Sequence, residues 1–416
     1  MRDVGPALPL TSILIHTINM DPSALWIPAE AAAARLGVTR QTLYAYVSRG
    51  LLRARPAPGD PRRGLYDAAD IETLRSRARG RARADIAAAA IDFGTPVLTS
   101  AVTAIAAGRP HYRGHDAIAL AETATLEQTA ALLWEQPFPA LAHSDFIAAA
   151  PAPAALPGCL VALAALPAQP IWNRRPAALA TEAAILLRRI TETCANRRAA
   201  GPAHQTLAAA WGQKPTGAEL LRRALVLCAD HELNASTFAV RVVASTGAAL
   251  PLCLMAGLAA LGGPLHGGMT ERIRAALADP ALAADPARGV AALLARGEKL
   301  PGFGHRLYPV GDPRATALFA ALAPGTWWTD LLGAVAELTG ARPTIDVALV
   351  ALERELRLPQ GAALAIFAAG RTAGWIAHAL EQAAEGSLIR PRARYTGPGV
   401  ARGPRPTPPP PPPPPR

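Results

Sequence analysis

The sequence predicts a mainly α-helical protein in which a long body follows a small basic helical unit. Three observations predict it. Hydrophobic residues make up 51% of the 416 residues but aromatics only 5%, with alanine and leucine dominant, and both enter a helix at little entropic cost. Apolar residues in the body recur at helical spacing between Gly and Pro punctuation, while strand-like alternation is scarce. Charge is unevenly placed within a net +11. Residues 20–84 carry 12 Arg against 6 acids, residues 390–416 carry 6 Arg and no acid, and the remainder is close to neutral. The length leaves room for more than one domain and a large buried core.

Four regions separate. Residues 1–22 are an apolar leader. Its segment ALPLTSILIHTINM lacks a charged flank beyond Arg2 and a convincing small-residue cleavage site, so a disordered leader, or a start at Met20, is expected in place of a signal peptide. Residues 23–84 form the basic unit and close in the run RSRARGRAR, read as a solvated linker or helix face. Residues 91–400 form the body. Residues 401–416 include eight consecutive prolines, Pro408–Pro415, which cannot build helix or sheet and predict an exposed polyproline II tail. No apolar run reaches the roughly 20 residues of a membrane span, so no membrane partner is expected. The four cysteines lie far apart without a CxxC pair. They read as reduced core thiols of a cytoplasmic protein, and no metal site is expected.

The stretch AAAARLGVTRQTLYAYVSRGLL (31–52) has helix-turn-helix spacing. Ala33 is small where two helices cross, Gly37 permits the turn, and Thr39 caps the second helix. Leu43 and Val47 then face inward. Arg40, Gln41 and Tyr44 lie on the outer face, where a recognition helix meets base edges. Downstream, RRGLYDAADIETL predicts a wing carrying Arg62 and Arg63 and a further helix from about Asp67. The unit resembles the winged helix-turn-helix of MerR-like and excisionase-like proteins, which implies DNA as a partner. A helical appendage that only packs or mediates assembly is the alternative.

In the body, AALATEAAILLRRITETCANRR, GAELLRRALVLCADHELNASTFAVRVVASTG and GVAALLARG share helical spacing. Three histidine-bearing stretches stand out: ADHELNASTFAVRVVASTGA (229–248), GGPLHGGMT (262–270) and LPGFGHRLYPVGDPRA (300–315). Singly, each histidine reads as a cap or a loop residue. His16, His111, His115, His143, His204 and His378 are assigned no role. Together, the ordered motifs DHE-x-N-A-S-T, GPLHGG and GFGH-R-x-Y-x3-DPR resemble the citrate synthase family over about 300 residues. The likeness runs from TPVLTSAVTAIAAGRPHYRGHDAIALAETATLEQTAALLW to GRTAGWIAHALEQ and LIRPRARYTGP.

The resemblance implies a two-domain helical fold, with a small domain over about 267–358 closing on substrate, and the condensation of acetyl-CoA with oxaloacetate. Drawing a proton from a thioester methyl needs a carboxylate base and a donor on the developing enolate oxygen. The resemblance implies Asp346 as base, His266 as that donor, and His305 as the group that polarises the oxaloacetate carbonyl. A small dianion needs fixed cations, by preference bidentate arginines. The resemblance implies Arg314, Arg371 and Arg390, with His231 as a neutral contact, and Arg390 reaching the partner subunit of a homodimer. Pro301, Gly302, Phe303 and Gly304 are implied in CoA binding, and Gly262, Gly263, Gly267 and Gly268 in close approach of backbone to ligand. No cofactor beyond the acyl-CoA substrate is implied.

Two departures bear on substrate. Met269-Thr270-Glu271 stands where the family commonly has Ala-Asn-Glu, and Pro309 where it often has a basic residue suited to a CoA phosphate. Propionyl-CoA, giving 2-methylcitrate, is therefore an alternative substrate. Another class also stays open: a metabolite-sensing body that controls DNA binding by the N-terminal unit.

Overall fold

The computed structural model describes residues 26–79, 98–142, 145, 155–199, 201–391, 393 and 397. The leader, the Met20 start, residues 80–83 of the charge run and the proline tail lie outside the described residues. The chain divides into two compact units, residues 1–98 with 393–416, and residues 99–392.

The described part of the first unit runs β1 (Trp26–Pro28), α1 (Ala29–Leu36), α2 (Arg40–Ser48), β2 (Ala54–Ala57), β3 (Asp60–Asp67) and α3 (Ala68–Arg79). Gly37 ends α1 at φ 65, a left-handed conformation that glycine adopts without steric cost. Thr39 caps α2 through the Thr42 N–H, and the Asp67 carboxylate accepts the N–H groups of Ala69 and Asp70 at the start of α3. The sheet is antiparallel in the order β1-β3-β2, so the wing hairpin is β2–β3 and sequence reading missed β1. Ala32, Leu43, Leu52, Tyr66, Ile71 and Leu74 form the core, with Ala33 and Val47 packed at its edge. The fully buried small residue at the helix crossing is thus Ala32, one position before the expected Ala33.

The second unit opens with a three-stranded antiparallel sheet, β4 (Thr103–Ala106), β5 (Arg109–Tyr112) and β6 (His115–Asp116). Helices follow: α4 (Ala117–Thr123), α5 (Leu126–Trp134), α6 (Ala155–Ala164), α7 (Pro176–Ala195), α8 (Ala203–Ala210) and α9 (Pro215–Leu227). They continue with α10 (Ala235–Ala244), α11 (Leu250–Leu261), α12 (Met269–Ala276), α13 (Pro280–Ala284), α14 (Pro286–Ala295), α15 (Pro313–Leu322), α16 (Thr326–Thr339), α17 (Ile345–Glu355) and α18 (Ala362–Glu385). The mainly helical expectation holds.

Helix α18 is the spine of this unit. It packs on α5, α7, α9, α10, α11 and α17, and Ala and Gly along it let those neighbours approach closely. Among the described residues it is the one helix long and apolar enough to cross a membrane, and it is buried inside the protein. The helical pattern from residue 217 to 247 is broken at 228–234, between α9 and α10. Asn234 stops the break by capping α10 through the N–H groups of Ser236 and Thr237. That interruption carries His231.

Candidate functional site

The break at 228–234 is held from several sides. The Tyr112 hydroxyl lies 3.1–3.3 Å from the carbonyls of Val226, Leu227 and Asp230, and Gly374 of α18 donates its N–H to Ala229. So held, His231 places Nε2 2.9 Å from the Tyr308 hydroxyl. Its ring meets His305 edge-on at 5.4 Å, and the His305 and Tyr308 rings lie 5.0 Å apart.

Two buried arginines border these rings. Arg314, with its guanidinium 5.6 Å over the Tyr308 ring, makes a bidentate pair with Asp312 through Nε (3.0 Å) and Nη2 (2.8 Å). Asp312 also caps α15 and accepts the Ile345 N–H, so one carboxylate locks Arg314 to the start of α17. Arg371 donates Nε–H to the Cys228 carbonyl at 2.9 Å, while its buried Nη1 has no partner. A buried guanidinium with an open donor is a prepared position for an anion.

Electrostatics keep the histidines neutral. Burial, then Arg314 and Arg371, push the His231 pKa well below its ordinary value. Burial and Arg314 lower His305. Burial, then Arg371, bring His266 down to about 4. The Leu307 N–H donates to His305 Nδ1, so the His305 proton sits on Nε2, free to polarise a carbonyl.

His266 Nε2 lies 2.8 Å from Ser236 Oγ, which also receives the Trp375 indole N–H at 3.1 Å. Ser236 Oγ donates to Asn234 Oδ1 at 2.7 Å, an oxygen that also accepts two backbone N–H groups. The Ser236 hydroxyl gives its one proton to Asn234 Oδ1 and so meets His266 Nε2 as an acceptor. Asp346 stands in the first turn of α17 and accepts the Thr344 hydroxyl at 3.1 Å. Burial raises its pKa to about 6 against the pull of Arg314 and the Thr344 hydroxyl, a value suited to a base near neutral pH.

His231, His305, Arg314, Arg371 and Asp346 share one electrostatic neighbourhood, and His266 is felt within it. Arg390 does not join them. It is exposed beyond α18, and among the described residues no contact ties it to the others within its own chain. The Pro301–Gly304 loop is partly committed elsewhere. The Gly302 carbonyl accepts the Thr344 N–H, and the Gly304 N–H donates to Arg342, so the loop is paired to the segment that leads into Asp346 and fewer backbone groups remain for CoA than expected.

The glycines around His266 also have a packing reason. A Cβ at Gly267 would sit 2.6 Å from Leu261, at Gly268 2.7 Å from the Gly263 carbonyl, and at Gly262 2.7 Å from Leu156. Gly267 and Gly268 lie where the turn folds back on α11 and its end, and Gly262 lies against Leu156 of α6, so intramolecular packing by itself calls for small residues there. Met269 packs against the main core, and Pro309 is exposed. Sequence reading missed Tyr308, Asp312, Ser236 and Phe367, which stacks edge-on with His266. The first three stand inside the quoted motifs, where adjacency to a proposed residue was the available signal.

In the first unit Arg40, Gln41 and Tyr44 are exposed along α2, and Tyr44 is 64% accessible. Arg40 pairs with Glu30 of α1. Arg62 and Arg63 both lie in β3 of the wing, Arg63 exposed.

Comparison with known proteins places the two units in families. Residues 169–392 match the family described as citrate synthase, C-terminal domain, and residues 28–79 match the MerR HTH family of regulatory proteins. The chain is 43% identical over 187 residues to a putative citrate synthase 2 of Mycobacterium tuberculosis, covering 42% of this chain and 50% of that one. A 2-methylcitrate synthase of the same organism is 35% identical over 212 residues, 47% and 53% of the respective chains. The chain thus spans about half the length of the curated relatives it matches. The crystal structure of citrate synthase from Thermotoga maritima superposes with a TM-score of 0.61 at 25% identity, covering 74% of this chain and 96% of that one. With more than half its residues in the family match and the histidine, arginine and aspartate motifs gathered in one buried site, the chain belongs to the citrate synthase family.

Proposed function

We propose that this protein condenses acetyl-CoA with oxaloacetate to release citrate and CoA. The observation that carries the reading is the pair of buried arginines, Arg314 locked by Asp312 and Arg371 with Nη1 open, beside neutral His231 and His305. That set suits a small dianion carrying a ketone. His305 Nε2–H polarises the ketone and protonates the new alkoxide. Asp346 removes the methyl proton, and neutral His266 holds the enolate oxygen. Hydrolysis of the bound thioester then drives the step forward. CoA enters as substrate, with Pro301, Gly302, Phe303 and Gly304 bordering its arm, and no metal or prosthetic group takes part.

Residues 267–358 act as the small domain and close over oxaloacetate, excluding water. A homodimer, with Arg390 reaching its partner's site, is part of the same reading. Its support is the exposed apolar set Val161, Trp172, Ile185 and Leu252, which includes positions on α6 and on α7 and α11, both of which pack on α6. A cytoplasmic location fits the four free thiols.

The test is a steady-state assay of CoA release with oxaloacetate and either acyl-CoA. No release with acetyl-CoA or propionyl-CoA overturns the enzyme reading, and a preference for propionyl-CoA makes the product 2-methylcitrate, a substrate choice favoured by the second relative. DNA binding by the first unit is supported by its charge and by the exposure of Arg40, Gln41, Tyr44 and Arg63. A chain lacking residues 1–84 is expected to lose salt-sensitive DNA retention and keep turnover. Unchanged retention gives the unit another role.

A further inference from the structure

Arg314 and Arg371 are treated differently by their acidic neighbours, and the difference traces to a histidine with no place in the chemistry. Arg314 is neutralised by a bidentate carboxylate. Arg371 also has a buried carboxylate close enough for its charge to be felt, that of Asp230, yet no ion pair joins the two. Asp230 is fully buried. Its Oδ2 is 3.3 Å from His378 Nε2 and accepts the Glu232 N–H at 3.2 Å. Its Oδ1 makes no well-formed hydrogen bond, although the Thr103 hydroxyl lies close enough to help lower the Asp230 pKa.

The geometry is set by one stripe of α18. Arg371, Gly374 and His378 are spaced i, i+3 and i+7 and so share a face. Asp230 lies over the bare backbone of Gly374, where a Cβ would come within 2.2 Å of Oδ1. The carboxylate therefore sits between the guanidinium one turn before and the imidazole one turn after, and it is bonded to the imidazole. The His378 tautomer is imposed from behind. Arg241 Nη1 is 3.3 Å from His378 Nδ1, and arginine can only donate, so Nδ1 accepts and the proton stands on Nε2, facing Asp230. Arg241 is itself anchored by Gln382, Glu381 and Glu385.

We propose that His378 is a positioning residue that withholds Asp230 from Arg371, and that this keeps Arg371 Nη1 open for the substrate dianion. Without the imidazole donor, the Asp230 carboxylate turns to Arg371 and fills the anion position from within. Asp230 then competes with oxaloacetate for the same guanidinium. The inference rests on the proposed oxaloacetate site.

The experiment compares the wild type with His378→Phe, His378→Gln and the double variant His378→Phe/Asp230→Asn, measuring CoA release against oxaloacetate and oxaloacetate binding by calorimetry. His378→Phe keeps the ring volume and removes the donor. It is expected to raise oxaloacetate KM and Kd about 10-fold or more, with kcat within about 3-fold. His378→Gln supplies an amide N–H to Asp230 and is expected to stay within about 3-fold of wild type. Adding Asp230→Asn to His378→Phe removes the competing carboxylate and is expected to restore most of the affinity. If His378→Phe does not fold, His378→Asn takes its place, because its amide reaches towards Arg241 but is too short for Asp230.

A purely structural His378 would lower Tm in these variants and leave KM alone. Unchanged KM and Kd in the donor-less variant, or further loss on adding Asp230→Asn, overturns the inference while wild-type turnover preserves the proposed function. A wild type that neither binds oxaloacetate nor releases CoA overturns both.

Discussion

Arg40 and Arg53 of the first unit and Arg314 and Arg371 of the second meet opposite conditions. Arg40 and Arg53 keep 60% and 67% of their side chains exposed and pair with Glu30, and with Asp67 and Asp70, on the same surface. Arg314 and Arg371 are 2% and 1% exposed, and each is held by specific acceptors, Asp312 for one and the Cys228 carbonyl for the other. Exposed charges are screened within about 10 Å at moderate salt, so the first set acts as a field whose strength follows ionic conditions. Buried charges escape screening, and each must be compensated or left open for a ligand. The same residue type is thus exposed and screened in one unit and buried in fixed geometry in the other.

The sharpest challenge to that contrast is the base. Asp346→Asn is expected to lower kcat about 1,000-fold while leaving DNA retention untouched, and a loss below 10-fold in CoA release would remove Asp346 from the mechanism. Next comes the open cation. Arg371→Gln should raise oxaloacetate KM about 100-fold through loss of a charge-assisted contact, and this rise should persist in high salt. Salt-dependent loss would mean that Arg371 behaves like a surface charge.

The pH response follows from the same burial. The Asp346 pKa is raised to about 6, so the carboxylate needed as base is lost as pH falls through that value. His266, at about 4, stays neutral across the range. A plot of kcat/KM for the acyl-CoA should therefore fall about 10-fold per pH unit below 6, and a flat profile between pH 5 and 7 would contradict it. The smallest effect belongs to the exposed set. Arg40→Ala should reduce the salt slope of DNA retention by about 1, and Glu30→Ala, which frees Arg40, should strengthen retention slightly.

Legibility differed between the two units for a physical reason. In the first, the turn at Gly37, the cap at Thr39, the inward Leu43 and the exposed Arg40, Gln41 and Tyr44 all follow from spacing within about 20 residues. Local rules reached nearly all of it except β1, whose three residues pair with β3 some 40 positions away. In the second, the motifs around His231, His266, His305 and Asp346 were readable as motifs, but the packing of their glycines was not. Gly267 and Gly268 looked like room for a ligand. Only the fold showed Leu261 and the Gly263 carbonyl already occupying that space.

By itself the sequence determined the helical character of the body, the basic helix-turn-helix ahead of it, and the residue types that the proposed condensation needs, because composition, helical period and turn chemistry are local properties. The tertiary structure alone decided which of those residues are charged, which proton each imidazole carries, and which guanidinium is left open. Those outcomes depend on burial and on partners brought from far along the chain, such as Asp312 to Ile345, Ser236 to His266, and His378 to Asp230. No spacing rule encodes them, since each is settled by contacts that exist only once the helices have packed.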